Sequence, residues 1–558
     1  MDRALTKTLS LRPKHSTLRR GRRWTGRAGL RYCLLSIAAI FVLSRLIYAR
    51  LGVSFDAAPR LFYWQIIDPV LLRNAPWQSL FYLRNQLPAL NLFIAVVVQL
   101  FPAHPAPAFQ ACYAGMGLIL AISLFLLLDG LEVGRALSFI VSVTCAVSPV
   151  TVLYENWLFY EYPIAVLFCV AALFLHRYAT SQSRKDGLVL FAALASIGLF
   201  RVIYHWVWYL AIAVLLLYAL PSCRRKTAWC AAVPGVVLLA FYVKSLALFG
   251  LGTPGSDVYG AIAFTTMARG NLGRYDLARL AKKGIVSRVL VYDLDEVDKV
   301  SAIVPPPAPT GIPILDNRLK STGVASMDSL WMAEVCKQIR RDGLSLLRYR
   351  PMGALTSIRD NIGRYFLPAD IGWPFDGRTD TNARVLAPVL APFDLAMTGT
   401  VPGHQYAWLS FVTVPMLLSF GLVQSGRWLR RAMPGRASDP KDLTIVFAFV
   451  NIAWLTAVIV FYDFTDQNRI IFEIFPLFAV LLGCSLSSVK SLRGAAWAFR
   501  PRAARNMIAH PGEAEECEDH RNSHSPPVDR CSELNDRGAG QGAEQATQTA
   551  ESGRAGHS

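Results

Sequence analysis

Charge is scarce in this chain. Only 17% of its 558 residues are Asp, Glu, Lys or Arg, while 53% are hydrophobic. Soluble domains carry about 25% charged residues. The apolar residues also fall in runs close to the ~20 that a helix needs to cross a bilayer, so the chain reads as a polytopic membrane protein. Recognisable soluble machinery is missing too. There is no GxxxxGK[ST] phosphate loop, no HExxH helix and no visible nucleotide-binding domain. The ten cysteines make no framework, because Cys33, Cys112, Cys145, Cys169, Cys223, Cys230 and Cys484 lie in or beside apolar runs. Cys336 stands alone in the long stretch 250–405, which excludes a disulfide within it. Cys517, His520, His524 and Cys531 sit in a polar, Gly/Pro/Ser-rich tail at a spacing that fits no standard zinc finger. That tail, 490–558, holds too few large apolar groups to fold. The absence of an internal repeat weakens an inverted-repeat transporter.

Positive charge, by contrast, is in excess, at +19. Ten Lys/Arg against the single acid Asp2 lie in residues 1–31, so a basic arm (1–30) supplies about half the excess. Such an arm before a first span is the positive-inside signal and touches anionic lipid. It does not imply nucleic acid. No small-residue cleavage site comes after it, so the first apolar run is expected to be a signal anchor.

Ten spans are predicted: 31–49, 108–128, 136–153, 160–176, 187–203, 205–220, 227–247, 407–424, 443–462 and 471–489. The short segment 87–101 would be an eleventh. The connections 176–186, 221–227 and 426–441 are basic and are placed in the cytoplasm, as are both termini. Residues 154–162, 200–206, 250–405 and 462–469 then face outward. An odd number of crossings must separate the inside N-terminus from residues 154–162, so 87–101 is expected not to cross. The organisation is therefore a transmembrane module over 31–250 with a first outer loop at 50–86. A large outer loop (251–406) and C-terminal spans (407–489) complete it.

With that orientation, membrane-depth charges collect at one face: Glu155, Glu161, Arg201, His205, Lys244, Asp463, Asp466, Arg469 and Glu473. Ionisable groups at membrane depth are costly and mark function. A one-sided cluster suits a catalytic site better than a transport path, which needs access from both sides. Asp56 comes soon after the first span, where a carboxylate can serve as a general base or remain a solvated loop acid. Asp293-Leu294-Asp295 has a DxD pattern, but RVLVYDLDEVDKV alternates like a strand with a solvated face, so no metal or other cofactor is expected.

The stretch Gly52–Pro102 resembles the first outer loop of the GT-C superfamily of polyprenyl-phosphate-sugar glycosyltransferases. It is similar to the branch of protein O-mannosyltransferases and the lipid A aminoarabinose transferase. The cues are Asp56, then YWQIIDPVLL (63–72), then SLFYLRNQLPALNLF (79–93). In the last, Gln86-Leu87-Pro88-Ala89-Leu90 stands where such enzymes carry a QPPL segment. YENWLFYEYP (154–163), LFRVIYHWVW (199–208), KSLALFG (244–250) and DQNRIIFEIFPL (466–477) fit in the same order. The resemblance implies an all-α GT-C fold in the plasma membrane, the inner membrane of a bacterium. It implies a polyprenyl-phosphate-linked sugar donor, a lipid, glycan or protein acceptor, and no required metal.

It also implies roles. Asp56 would activate the acceptor, with Asp68 as the competing acid or a loop-positioning residue. Lys244, Arg201 and Arg469 would stabilise the leaving phosphate; each is otherwise an interfacial cation. His205 would bind substrate or act structurally. Glu155 and Glu161, beside Tyr154, Trp157 and Tyr160, would hold sugar hydroxyls or pair with Arg201. Gln86 would contact substrate. The rival readings are an O-antigen ligase or polymerase, and a polytopic transporter or flippase.

Overall fold

The computed structural model describes residues 25–371, 374–375, 380–400, 407–431, 438–461 and 467–498. Asp463, Asp466, the Cys/His group of the tail and most of the basic arm lie outside them. The chain divides into two compact units, Met1–Ser491 and Leu492–Ser558. The described part of the second unit is a helix end. The first unit holds every other described element.

Among the described residues every regular element is helical, and the chain is an all-α polytopic membrane protein. Its principal helices begin with α1 (Thr25–Arg50), α2 (Ala89–Leu100), α3 (Pro105–Gly130), α4 (Arg135–Val147), α5 (Pro149–Glu155), α6 (Glu161–Ser181), α7 (Arg184–Phe200), α8 (Trp206–Ala219) and α9 (Arg224–Phe249). Then come α10 (Tyr259–Arg269), α11 (Leu330–Tyr349), α12 (Met352–Tyr365), α13 (Thr381–Thr398), α14 (Trp408–Arg431), α15 (Pro440–Phe461) and α16 (Phe475–Ala498).

Among the described residues seven helices are long and apolar enough to cross a membrane, or eight if α4 and α5 form one bent span, so the expected ten full spans are not found. The bend between α4 and α5 is 53°. It arises from Pro149, which has no N–H to continue the ladder, and from Ser148, whose Oγ accepts from the Thr151 N–H at 3.1 Å and restarts the helix. The predicted span 187–203 is α7, of 17 residues, which ends because Arg201 leaves the helix into an extended conformation. The predicted span 205–220 is α8, of 14 residues, stopped by Leu220-Pro221. At 1.5 Å per residue these reach only about 26 and 21 Å, short of the ~30 Å hydrocarbon core. Helix α2, the doubtful segment, has 12 residues, about 18 Å.

Helix α6 is buried on nearly every face and forms the axis of the bundle. It packs on α3, α7 and α15. Gly117 lets α3 approach closely, for a Cβ there would fall 2.4 Å from Glu155 Oε2 and 2.5 Å from the Tyr162 hydroxyl.

The large loop folds on its own small core. Helix α11 buries Trp331, Met332, Val335, Cys336 and Ile339, a stripe at helical spacing, against Val258, Ala261, Val289 and Val300. The predicted strand over 288–300 is instead a 3-10 turn, Arg288–Val291, and a short helix, Val297–Ser301. Asp295 accepts from the Ala325 N–H and from Trp64 Nε1, so its carboxylate holds loops together.

This large loop is clasped to the first loop by buried polar contacts. Lys320 Nζ donates to the carbonyls of Tyr63 (2.7 Å) and Ile66 (2.6 Å). Asn382 bridges the Ser54 N–H and carbonyl. Asp328 Oδ1 accepts from the N–H groups of Arg84 (3.2 Å) and Asn85 (2.9 Å). Burial pushes the Lys320 ammonium down to about 8.

Candidate functional site

A cavity of about 650 Å³ lies where the first loop, the α7–α8 corner, the start of the large loop and α15 meet. Four of the predicted site residues line it: Gln86, Arg201, His205 and Arg469. The fold brings them together by local breaks. Arg201 and His205 occupy the corner between α7 and α8, and Arg469 lies just before the turn Phe472–Ile474 that leads into α16.

Behind this wall is a buried quartet of charges. Arg201 Nη1 pairs with Glu473 Oε1 and lies 3.7 Å from Glu161 Oε1. Arg469 Nε lies 3.3 Å from the same Glu161 oxygen. The Tyr204 hydroxyl donates to Glu473 Oε2 at 2.6 Å. Glu161 and Glu473 are both fully buried, so the formal charges of the quartet cancel where water cannot screen them. The guanidinium of Arg201 rests over the Tyr160 ring at 4.9 Å, and that of Arg469 over Phe159 at 5.0 Å.

His205 caps α8. Its Nδ1 accepts from the Val207 N–H at 3.3 Å, which leaves Nε2 to donate to Thr253 Oγ1 at 3.0 Å when the ring is neutral. The other predicted residues stand elsewhere. Glu155 pairs with Arg45, not with Arg201: Arg45 Nε donates to Oε1 at 2.8 Å, and the Tyr162 hydroxyl donates to Oε2 at 2.7 Å. Lys244 is half-buried and donates to the Leu83 carbonyl at 2.8 Å, holding the first loop and not lining the cavity. Asp68 caps a short helix through the Val70 N–H and accepts from the Ser321 hydroxyl (2.6 Å) and N–H (2.8 Å), another part of the clasp.

Asp56 is not among the residues that line the cavity, but it is tied to the aromatic segment that faces Arg469. Its backbone bridges Trp157, accepting from the Leu158 N–H at 3.0 Å and donating to the Asn156 carbonyl at 2.7 Å. Trp157 Nε1 donates to the Tyr63 hydroxyl at 3.1 Å, and Arg469 lies 6.0 Å from the Trp157 ring. Both the Asp56 and Arg469 charges act on the Tyr63 phenol. Burial pushes the Asp56 carboxyl up, opposed by the Ala58 N–H that donates to its Oδ1 at 2.8 Å. Asp380 at the start of α13 is close enough for Asp56 to raise its carboxyl further, after burial.

Sequence reasoning missed Gln65 and Asn85, which also line the cavity. Gln65 is placed by Asn91 of α2, whose Nδ2 donates to the Gln65 carbonyl at 3.1 Å. The NQ pair at 85–86 was the available signal. Among the described residues no group of three or more His, Cys, Asp or Glu is arranged to hold a metal.

The cavity adjoins an apolar groove of about 400 Å³ between α14 and α15; Ala457 and Phe461 line both. Leu422 and Phe461 at this groove are exposed on the apolar outside of the bundle.

No family model matches the chain, and no curated protein matches it. Among solved structures it is similar to the archaeal oligosaccharyltransferase AglB from Archaeoglobus fulgidus, in complex with an inhibitory peptide and a dolichol-phosphate, at 12% identity and a TM-score of 0.34. The match covers 85% of this chain and 54% of AglB, so the chain spans about half the length of that protein.

Proposed function

We propose that the chain is a GT-C-type membrane glycosyltransferase. It moves a sugar from a polyprenyl-phosphate donor to a lipid, glycan or protein acceptor at the outer face of the membrane. The observation that carries the reading is the pairing of one cavity with one groove. Two buried arginines line a cavity that shares Ala457 and Phe461 with an apolar groove exposed on the bundle's outside. A phosphate with a long hydrocarbon tail fits that combination. The GT-C resemblance of the first loop supports it independently.

In the reaction, the acceptor oxygen or nitrogen attacks the anomeric carbon. The bond from that carbon to the phosphate oxygen breaks, and its electron pair leaves with polyprenyl phosphate. The acceptor proton passes to Asp56, and the anomeric configuration inverts. Arg201 and Arg469 stabilise the charge that develops on the leaving phosphate, an electrostatic effect strengthened by the dry surroundings. Burial, which favours the protonated carboxyl of Asp56, suits a proton acceptor.

The test is release of free polyprenyl phosphate from a panel of polyprenyl-phosphate sugars by the purified protein in lipid. Asp56→Asn should fold normally and lose about 10²–10⁴-fold in turnover, the usual worth of a general base. Equal release by both proteins would remove Asp56 from the chemistry. No release from any donor would turn attention to lipid-linked oligosaccharides as substrates of a ligase or polymerase.

A further inference from the structure

Asn85 is 1% exposed and lines the cavity, yet among the described residues neither its Oδ1 nor its Nδ2 has a hydrogen-bond partner. A buried carboxamide left unmade on both sides is rare and asks for an explanation. It is not a loose side chain. Its backbone N–H is held by the buried Asp328 carboxylate at 2.9 Å. Its neighbour's carbonyl, that of Arg84, accepts from the Gly255 N–H at 3.2 Å. Gly255 has a φ of +69°, and a Cβ there would fall 2.3 Å from the Asn85 carbonyl oxygen, so the close approach needs glycine. Two segments of the large loop thus hold this turn in place with its amide unspent.

Two more carboxamides, Gln65 and Gln86, line the same cavity, and among the described residues the lining carries formal charge only at Arg201 and Arg469. A carboxamide offers one acceptor and two donors with no charge. Sugar hydroxyls, each both donor and acceptor, match it. The three amides carry no charge to offset the desolvation of a carboxylate or an ammonium, and the charges of Arg201 and Arg469 are already matched by Glu161 and Glu473.

We propose that Asn85, flanked by Gln65 and Gln86, forms the sugar subsite, and that the donor carries an uncharged, hydroxyl-bearing sugar. The proposal rests on the glycosyltransferase reading above. Asn85 acts as a specificity-determining residue, separate from the arginines that take the phosphate.

The experiment measures binding to the full-length protein in lipid nanodiscs. The probes are bare polyprenyl phosphate and polyprenyl phosphate bearing a neutral hexose, a hexuronate or an amino-pentose. The wild type should bind the neutral donor at least tenfold more tightly than either charged donor. Asn85→Leu should lose about tenfold for the neutral donor and leave bare polyprenyl phosphate unchanged. Asn85→Asp should shift preference toward the amino-pentose. If Asn85→Leu fails to fold, Asn85→Asp and Gln86→Leu carry the same comparison. Unchanged affinity of the Asn85 variants for the neutral donor, or a wild-type preference for a charged sugar, overturns the proposal while the transferase reading stands. Failure to bind even bare polyprenyl phosphate overturns both.

Discussion

Arg45 and Glu155 meet inside the bundle, with side chains 16% and 4% exposed. Arg45 Nη1 also donates to the Ala146 carbonyl at 2.8 Å, so this ion pair ties α1 to the end of α4 as well as to α5. Removing one member of such a pair strands a charge where nothing solvates it. Arg45→Leu should therefore destabilise the protein by about 3–5 kcal/mol, and the double variant with Glu155→Leu should recover most of that. Thermal unfolding in detergent measures both; a single variant as stable as wild type would contradict the pairing. The partnership is not legible in the sequence. Arg45 lies within the first apolar run with nothing to mark its partner, and Glu155 reads as a ligand for sugar hydroxyls or a partner for Arg201. Which acid meets which base depends on the packing of distant helices. Glu161 and Glu473 take Arg201 because the α7–α8 corner turns it toward them. Gln65 and Asn85 are hidden for another reason: an uncharged amide in a loop carries no visible cost until its burial is known.

Helices are easier to read than their ends. The long apolar runs of α1, α3, α6, α9, α14 and α15 stand where hydropathy places them. The errors fall at breaks made by polar residues with tertiary partners. Helix α7 stops at Phe200 because the extended Arg201 joins the buried quartet, a cause that no hydropathy window contains. The alternating pattern over 288–300 misleads because Val289, Val297 and Val300 serve a helical core and not a pleated face. Helix α13 offers a test at this scale. Asp394 near its end shares a hydrogen bond with Asp370, which lies beyond the end of α12. The Asp394 carboxyl is pushed up to about 8, by burial first and by Asp370 second. A carboxyl raised above its unfolded value of about 4 holds its proton more tightly in the folded state. Its contribution is therefore complete at low pH and is lost as pH rises toward about 8. The unfolding temperature should fall between pH 5 and pH 8.5, and Asp394→Asn should flatten that slope. An unaltered slope would assign the pH dependence to other groups.

The molecule as a whole joins two halves distant in sequence. The first loop supplies Gln65, Asn85, Gln86 and Asp56; the large loop holds them through Lys320, Ser321, Asp328 and Asn382. The all-α polytopic membrane class is legible from composition and the length of the apolar runs. The clasp is not, because Lys320 and Asp328 look like ordinary loop charges until they are seen buried at 5% exposure each. If the chain acts on a lipid-linked donor as proposed, the groove between α14 and α15 sets how its turnover has to be measured. A substrate that slides in sideways between two helices never passes through water, so its effective concentration is its mole fraction in the lipid film. Diluting vesicles with buffer should leave the rate per protein unchanged. Fusing them with donor-free lipid, at constant amounts of protein and donor, should lower it in proportion to the added film. A rate that tracked bulk volume would mean that the donor arrives from solution.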